Sequence, residues 1–550
     1  MERTLDLDKS KMIVLGLDGA TFDLIEPWAA EGKLPNFRRL MDTQAWGRLE
    51  STLPPLTAVA WTTFATGKNA GKHGLFDFVR RQADGYGVSL VRGGDRRAPA
   101  FWQILDDLGY RVGVINVPMT YPPDRLRHGF VVSGFDAPGL ESAFVHPPEL
   151  KSRLLGMGYQ LYTRQDNLEV WAQSLLDVLH VQRKVFWELL RGDQPDVLVM
   201  VLSQLDASQH LFWEDMERGE GPFAAVIPRL YQEMDGFVGE ILDAMGPGDA
   251  LLIVSDHGAG GLKKAVSINQ WLLQEGYLSL RQDTSSRRWT RRLLQGGGTW
   301  LAGHLPRWAK TIVKERFATV RDGVESYVLS SRIDWARTRA FSVGEYGGIF
   351  LNLQGRESQG VVAPSDYEGL RGEIAARLLA LRDPTDGDIV IERVHRREEV
   401  YHGPWLDQAP DLVLRWNFQY DCRERVGAEQ QGVFEDSMSY RSFRRHRKTG
   451  VHRLYGVFLA SGPQMAAGPV LGAGLADVAP TLLHILGVPV PVDMDGRVLE
   501  EALQPAWRTA HPIAQQVMGD EPLQAGDTEA YSASEEAMVR QRLRDLGYLD

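Results

Sequence analysis

Three things are scarce in this chain. Its 550 residues include one cysteine, Cys422, so no internal disulfide can form, and any bound metal would be held by histidine and carboxylate rather than thiolate. Positive charge is not in excess: the formal net charge of -11 argues against a general nucleic-acid-binding surface. No uninterrupted apolar run reaches the roughly 18 residues of a membrane-spanning helix. Residues 1–11 are charged and poor in apolar side chains, so the expectation is a soluble, cytoplasmic protein. Repeats and low-complexity tracts are missing too. Against these absences, 43% of the residues are hydrophobic, enough for one large domain with an insertion or for two to three domains.

The chain is organised around Leu53-Pro-Pro-Leu-Thr57, followed by Ala58, Val59, Ala60, Trp61, Phe64, Ala65 and Thr66-Gly67. Two prolines favour extended backbone and lead into a helix-compatible apolar segment, so Thr57 reads as the N-cap or first turn of a buried helix. Free N–H groups and the positive end of the helix dipole favour an anion there. A threonine hydroxyl is a weak nucleophile until a base or a metal activates it.

Candidate activators stand at strand ends. The apolar run 12–17 ends in Asp18-Gly19, the run 196–202 is followed by Asp206-Ala-Ser-Gln-His210, and the run 250–255 ends in Asp256-His257-Gly258. Further strands are expected at 111–116 and 130–133, with helices at 22–30, 101–108, 168–190 and 224–245. Strands alternating with helices predict an α/β fold, a mostly parallel sheet sandwiched by helices, with its site beyond the carboxyl ends of the strands. One Asp after a strand is commonly a helix cap. Three strand-end carboxylates, two with His alongside, point to a metal site of oxygen and nitrogen donors that suits Zn²⁺ and, less strongly, Mn²⁺. Asp206 and His210 converge if the residues between them form a helical turn.

From 281 to 325 arginines and lysines mix with Trp289, Trp300 and Trp308. This is either a basic amphipathic surface for an acidic membrane or anionic substrate, or the solvated face of an inserted cap, and runs of this kind favour the second. Strands at 340–343, 348–352 and 388–392 and a helix at 365–381 complete an α+β lid. The core is expected to resume with 411–414 and 455–460 and to close with a helix at 477–486. The expected organisation is a catalytic core in two parts, 1–280 and 401–550, around an inserted cap over 281–400. The second part ends in a charged helical tail in which Leu543 and Leu546 dock.

Together Leu17-Asp18-Gly19, Thr57 with Thr66-Gly67 nine positions later, His73-Gly74, Asp206-x-x-x-His210 and Val254-Ser-Asp256-His257-Gly258 resemble the alkaline phosphatase superfamily. The nearest branch is the type I phosphodiesterase/nucleotide pyrophosphatase group, and within it the bacterial and archaeal phosphohydrolases or phosphomutases. The stretches from Asn116 to Pro123, Asp477 to His484 and Asp493 to Arg497 are similar to ones recurring there.

That resemblance implies two divalent metal ions. One would be held by Asp18, Asp256, His257 and the Thr57 oxygen, the other by Asp206, His210 and a late histidine. His452 fits that place better than His446, which sits in the basic run Arg444-Arg-His-Arg-Lys448. The implied activity is hydrolysis of a phosphate ester through a phosphothreonine on Thr57. Transfer to a second hydroxyl, as in a mutase or phosphotransferase, is the nearest alternative, and a non-catalytic membrane-surface or anion-binding protein is the alternative from another class. A sulfatase is disfavoured, because Cys422-Arg-Glu-Arg-Val426 does not match Cys-x-Pro-x-Arg. One departure matters: Phe78 stands where nucleotide pyrophosphatases carry an Asn that contacts the phosphoryl oxygen. Lys68, Asn69 or Lys72 are candidates to replace it, against a solvated-loop reading for each.

Overall fold

The computed structural model describes residues 11–82, 86–161, 167–281, 332–423, 426, 432–436, 448–517, 531–546 and 548. The basic, tryptophan-bearing segment and His446 fall outside them, apart from Arg281 at its edge.

Strands Met12–Leu17, Val197–Leu202 and Ala250–Val254 are apolar almost throughout and buried at every position, as expected of parallel strands covered on both faces. Met12–Leu17 lies between the other two, parallel to both and in matching register: Leu17 stands opposite Leu202, and Gly16 opposite Val254. Outward from Val197–Leu202 follow Val112–Ile115, Phe130–Val132 and Val145–His146. Outward from Ala250–Val254 follow Tyr455–Ser461, Ala45–Glu50 and Gly468–Pro469, with Ala473–Gly474 also paired to Ala45–Glu50. Tyr455–Ser461 runs antiparallel to both its neighbours.

Because side chains alternate along a strand, the sheet feeds two apolar layers. Ile13, Leu15, Leu198 and Ile253 meet helices Phe22–Ala30, Leu168–Gly192, Gln204–Arg218 and Val226–Ala244 on one face. Val14, Val199, Leu252 and Phe458 meet helices Thr57–Thr66, Phe101–Asp107 and Val478–Ile485 on the other. No described helix is long and apolar enough to cross a membrane.

A second body has its own core around Trp271, Phe341, Ile374 and Leu412. Its antiparallel sheet runs in the order Ala340–Ser342, Ile349–Leu351, Leu412–Trp416, Ile391–Arg396, with helix Tyr367–Leu379 packed beside it. Two expectations change here. The strand expected at 388–392 begins at Ile391 and continues to Arg396. The apolar run at 411–414 does not return to the central sheet; it pairs with Ile349–Leu351 and Ile391–Arg396. An apolar run signals burial without naming the sheet. The central sheet is regained at Tyr455–Ser461.

Candidate active site

The in-register ends of the three central strands bring their next residues to one edge. Asp18 follows Leu17 directly, its N–H donating to Leu202 O at 3.1 Å. Gly19 then turns the chain at φ +73°, where a Cβ would come within 3.0 Å of the Asp206 backbone, so glycine lets helix Gln204–Arg218 approach. That helix carries Asp206 and His210 one turn apart on the same side. Asp256 and His257 follow the Ala250–Val254 strand as the chain bends into Gly258–Gly261. This short strand pairs antiparallel with Gly450–Arg453 and sets His452 opposite Ala259. Thr57 is the first residue of helix Thr57–Thr66, after Leu56 in extended conformation.

All seven side chains are at most 8% exposed. The Asp206 Oδ1 lies 3.4 Å from His210 Nε2 and 3.2 Å from His452 Nε2, and the two imidazole nitrogens are 2.9 Å apart. Beside this group, His257 Nε2 is 3.2 Å from Thr57 Oγ1, 3.3 Å from Asp256 Oδ2 and 3.7 Å from Asp18 Oδ1. Donor atoms of Asp18, Asp206 and His257 lie within 4.8 Å of one another, so Asp206 borders both groups. The rings of His257 and His452 stack at 3.6 Å.

The residues fit a cation. Each histidine directs Nδ1 at a backbone carbonyl: His210 at Gly450 O (3.1 Å), His452 at Pro55 O (2.8 Å) and His257 at Gly258 O (3.0 Å). A carbonyl only accepts, so Nδ1 carries the hydrogen and the inward Nε2 presents a lone pair. Two such lone pairs 2.9 Å apart repel unless something positive stands against them. Among the described residues, Asp18 Oδ1 and Asp256 Oδ2 are buried with no hydrogen-bond partner. Burial, with the neighbouring carboxylate charges of Asp256 and Asp206, pushes Asp18 well above the usual carboxylate range, and burial with Asp206 does the same to Asp256. Burial would raise Asp206 as well, but positive charge in the place that His210 and His452 face would outweigh it and hold it well below, and a cation there supplies that charge with both rings neutral. Burial holds the His257 pKa well below the usual imidazole range, which leaves its Nε2 lone pair free.

Of the remaining candidates, Lys68 and Asn69 follow the far end of the ten-residue helix that Thr57 begins, about 15 Å along its axis. The Lys68 ammonium pairs with Asp493, and Asn69 caps the turn Ala70–His73 while donating to Asp495 Oδ2 at 2.8 Å. They belong to a polar network apart from the cluster. Phe78 is buried, with its ring 5.2 Å from that of Tyr548.

Two contacts at the site escape sequence reasoning. Trp61 Nε1 donates to Asp18 Oδ2 at 3.2 Å, and Tyr548 OH donates to Asp206 Oδ2 at 2.6 Å. Leu543 and Leu546 as docking residues were the available signal for the second. The surroundings include a cavity of about 260 Å³ with His452 and Tyr346 in its wall. Another of about 640 Å³, walled by Pro54, Arg81, Tyr346 and Arg356, opens between the segment that leads into Thr57 and the small sheet.

A mostly parallel sheet with carboxylates and histidines gathered at its carboxyl edge defines an α/β fold with a candidate metal-binding active site. More narrowly, the chain belongs to the type I phosphodiesterase / nucleotide pyrophosphatase family, whose model matches residues 12–433. It is accordingly a phosphoric ester hydrolase of the phosphodiesterase/pyrophosphatase kind. No curated protein matches significantly in sequence. Among solved structures it is similar to phosphonoacetate hydrolase from Sinorhizobium meliloti 1021, in complexes with phosphonoformate and with phosphonoacetate. Each has a TM-score of 0.54 and 15% identity, over 86% of this chain and 94% of that one.

Proposed function

We propose that the protein hydrolyses a phosphate ester by in-line displacement, with Thr57 as the nucleophile and two divalent cations, Zn²⁺ ahead of Mn²⁺, in the paired groups. The observation that carries this reading is the Thr57 hydroxyl, buried at a helix start and 3.2 Å from His257 Nε2, at the edge of the carboxylate–histidine cluster. Asp18, Asp256 and His257 would hold one ion beside Thr57, and Asp206, His210 and His452 the other. Bound there, the cations would supply the positive charge that neutralises the phosphoryl oxygens and eases loss of the nucleophile's proton.

Thr57 Oγ1 attacks phosphorus, its proton passes to solvent, and the P–O bond to the leaving alcohol breaks. That alcohol departs with a proton from water, leaving phosphothreonine. Water then attacks phosphorus, the bond to Oγ1 breaks, and Thr57 recovers its hydroxyl as the phosphate product leaves. The first-turn N–H groups of helix Thr57–Thr66 favour the anion during both displacements. The cavity with Pro55 and His452 in its wall would be the space for a leaving group.

A panel of nitrophenyl phosphate, bis-nitrophenyl phosphate, a phosphonate monoester and a dinucleotide, run metal-replete on wild type and Thr57→Ala, tests the reading. Turnover on the best substrate should fall at least about 10³-fold in the variant. Acid-quenched wild type should carry phosphate on the peptide containing Thr57. Retained turnover in Thr57→Ala removes the nucleophile assignment, and a product phosphorylated on an added alcohol would make the enzyme a transferase.

A further inference from the structure

The C-terminal helix Ala533–Leu546 is held against the core by Val539, Leu543 and Leu546, all buried. The Arg542 guanidinium donates to the carbonyls of Phe135, Ala137 and Pro138. Tyr548 N donates to Leu543 O at 2.8 Å, a six-to-one bond of the kind that ends helices. The Tyr548 ring then lies 5.2 Å from Phe78 and stacks at 5.3 Å on Phe135. The ring also sits edge-on to His210 at 5.9 Å.

So seated, the phenol reaches one oxygen of one carboxylate. It donates to Asp206 Oδ2 at 2.6 Å, while Oδ1 of the same carboxylate faces His210 Nε2 and His452 Nε2. A donor on one oxygen fixes the carboxylate's rotation and leaves the other directed at the shared point. Outer partners of this kind are worth about 10–100-fold in metal affinity.

We propose that Tyr548 is a positioning residue of the metal site: the C-terminal tail inserts its phenol behind Asp206 and aims Oδ1 at the ion shared with His210 and His452, and Phe78 is the wall that holds the phenol there. The inference rests on the two-metal reading above for what Asp206 binds. It also gives Phe78 a function: an aromatic face at this position supports a tyrosine arriving from the other end of the chain.

The test is calorimetric titration of the metal-free full-length protein with Zn²⁺, for wild type, Tyr548→Phe and Asp206→Asn. Tyr548→Phe keeps the ring that Phe78 and Phe135 hold and removes only the donor. Wild type should show two binding steps. In Tyr548→Phe the step that Asp206→Asn abolishes should weaken about 10–100-fold while the other is unchanged, and turnover lost at limiting Zn²⁺ should return at saturating Zn²⁺. Two wild-type steps in Tyr548→Phe, or equal weakening of both, would overturn the proposal and leave the two-metal reading standing. Wild type that takes up no Zn²⁺ would overturn both.

Discussion

His73 lies at the end of the turn that follows the Thr57 helix, fully buried. Leu75 N donates to its Nδ1 at 3.3 Å, so Nε2 carries the hydrogen and faces Thr63 Oγ1 at 3.1 Å. Burial, and then the charge of Arg96, lowers its pKa to about 3. The unfolded chain takes up a proton on this ring below about pH 6.5 that the folded chain refuses. The contribution of His73 to stability is therefore complete above pH 6.5 and is lost as pH falls toward 3. In urea unfolding, the stability difference between wild type and His73→Asn should shrink by about 2 kcal/mol between pH 7 and pH 5. A difference that is the same at both values would show that the folded ring accepts the proton.

At the scale of elements, helix Thr57–Thr66 depends on Gly16 near the carboxyl end of the central strand. A Cβ there would come within 2.5 Å of the Trp61 ring and 2.7 Å of Val201 Cγ2. The missing side chain lets the indole lie on the strand, and from that seat Nε1 reaches Asp18 Oδ2. Gly16→Ala should therefore displace the helix that begins with Thr57. Overpacking should cost about 1–3 kcal/mol by urea unfolding, and turnover should fall at least about 10-fold, because a shift of about 1 Å at a reacting group can cost 10²-fold. Wild-type stability and turnover together would show that Trp61 has room to yield.

The same elements show what was legible beforehand. Asp18, Asp206 and Asp256 could be found because buried parallel strands read as unbroken apolar runs, and a carboxylate just past such a run stands out. His452 could be placed only through the family resemblance: the strand opposite it, Gly258–Gly261, is Gly-Ala-Gly-Gly and has no pattern to read. The pairing of Leu412–Trp416 was misjudged because its residues carry no mark of their partner sheet. Tyr548 and Asp206 lie 342 residues apart, a contact no local window contains.

The whole molecule meets at the site. Strand-end loops, helix Gln204–Arg218, the antiparallel pair at Ala259 and His452, the Thr57 stretch and the C-terminal tail each bring a group to it. The small-sheet body grips the segments on either side of helix Thr57–Thr66: Tyr401 OH donates to Leu53 O at 2.7 Å, Tyr346 OH to Pro55 O at 3.1 Å, and Glu345 N to Asp77 Oδ2 at 3.0 Å. Ligand candidates drawn from segments this far apart converge only in the folded chain, so an ion binding them binds the native state and stabilises it. Each site should add about 2.7 kcal/mol when the free ion is 100-fold above its dissociation constant. Scanning calorimetry of chelator-stripped protein should show an unfolding midpoint that rises with added Zn²⁺, and Asp206→Asn should keep only part of that rise. Mg²⁺ prefers all-oxygen octahedral surroundings, so at the same concentration it should shift the midpoint less than Zn²⁺ does. A midpoint indifferent to Zn²⁺ would mean that the buried lone pairs of His210 and His452 are compensated by protons, and the cluster would then be a hydrogen-bonded core rather than a metal centre.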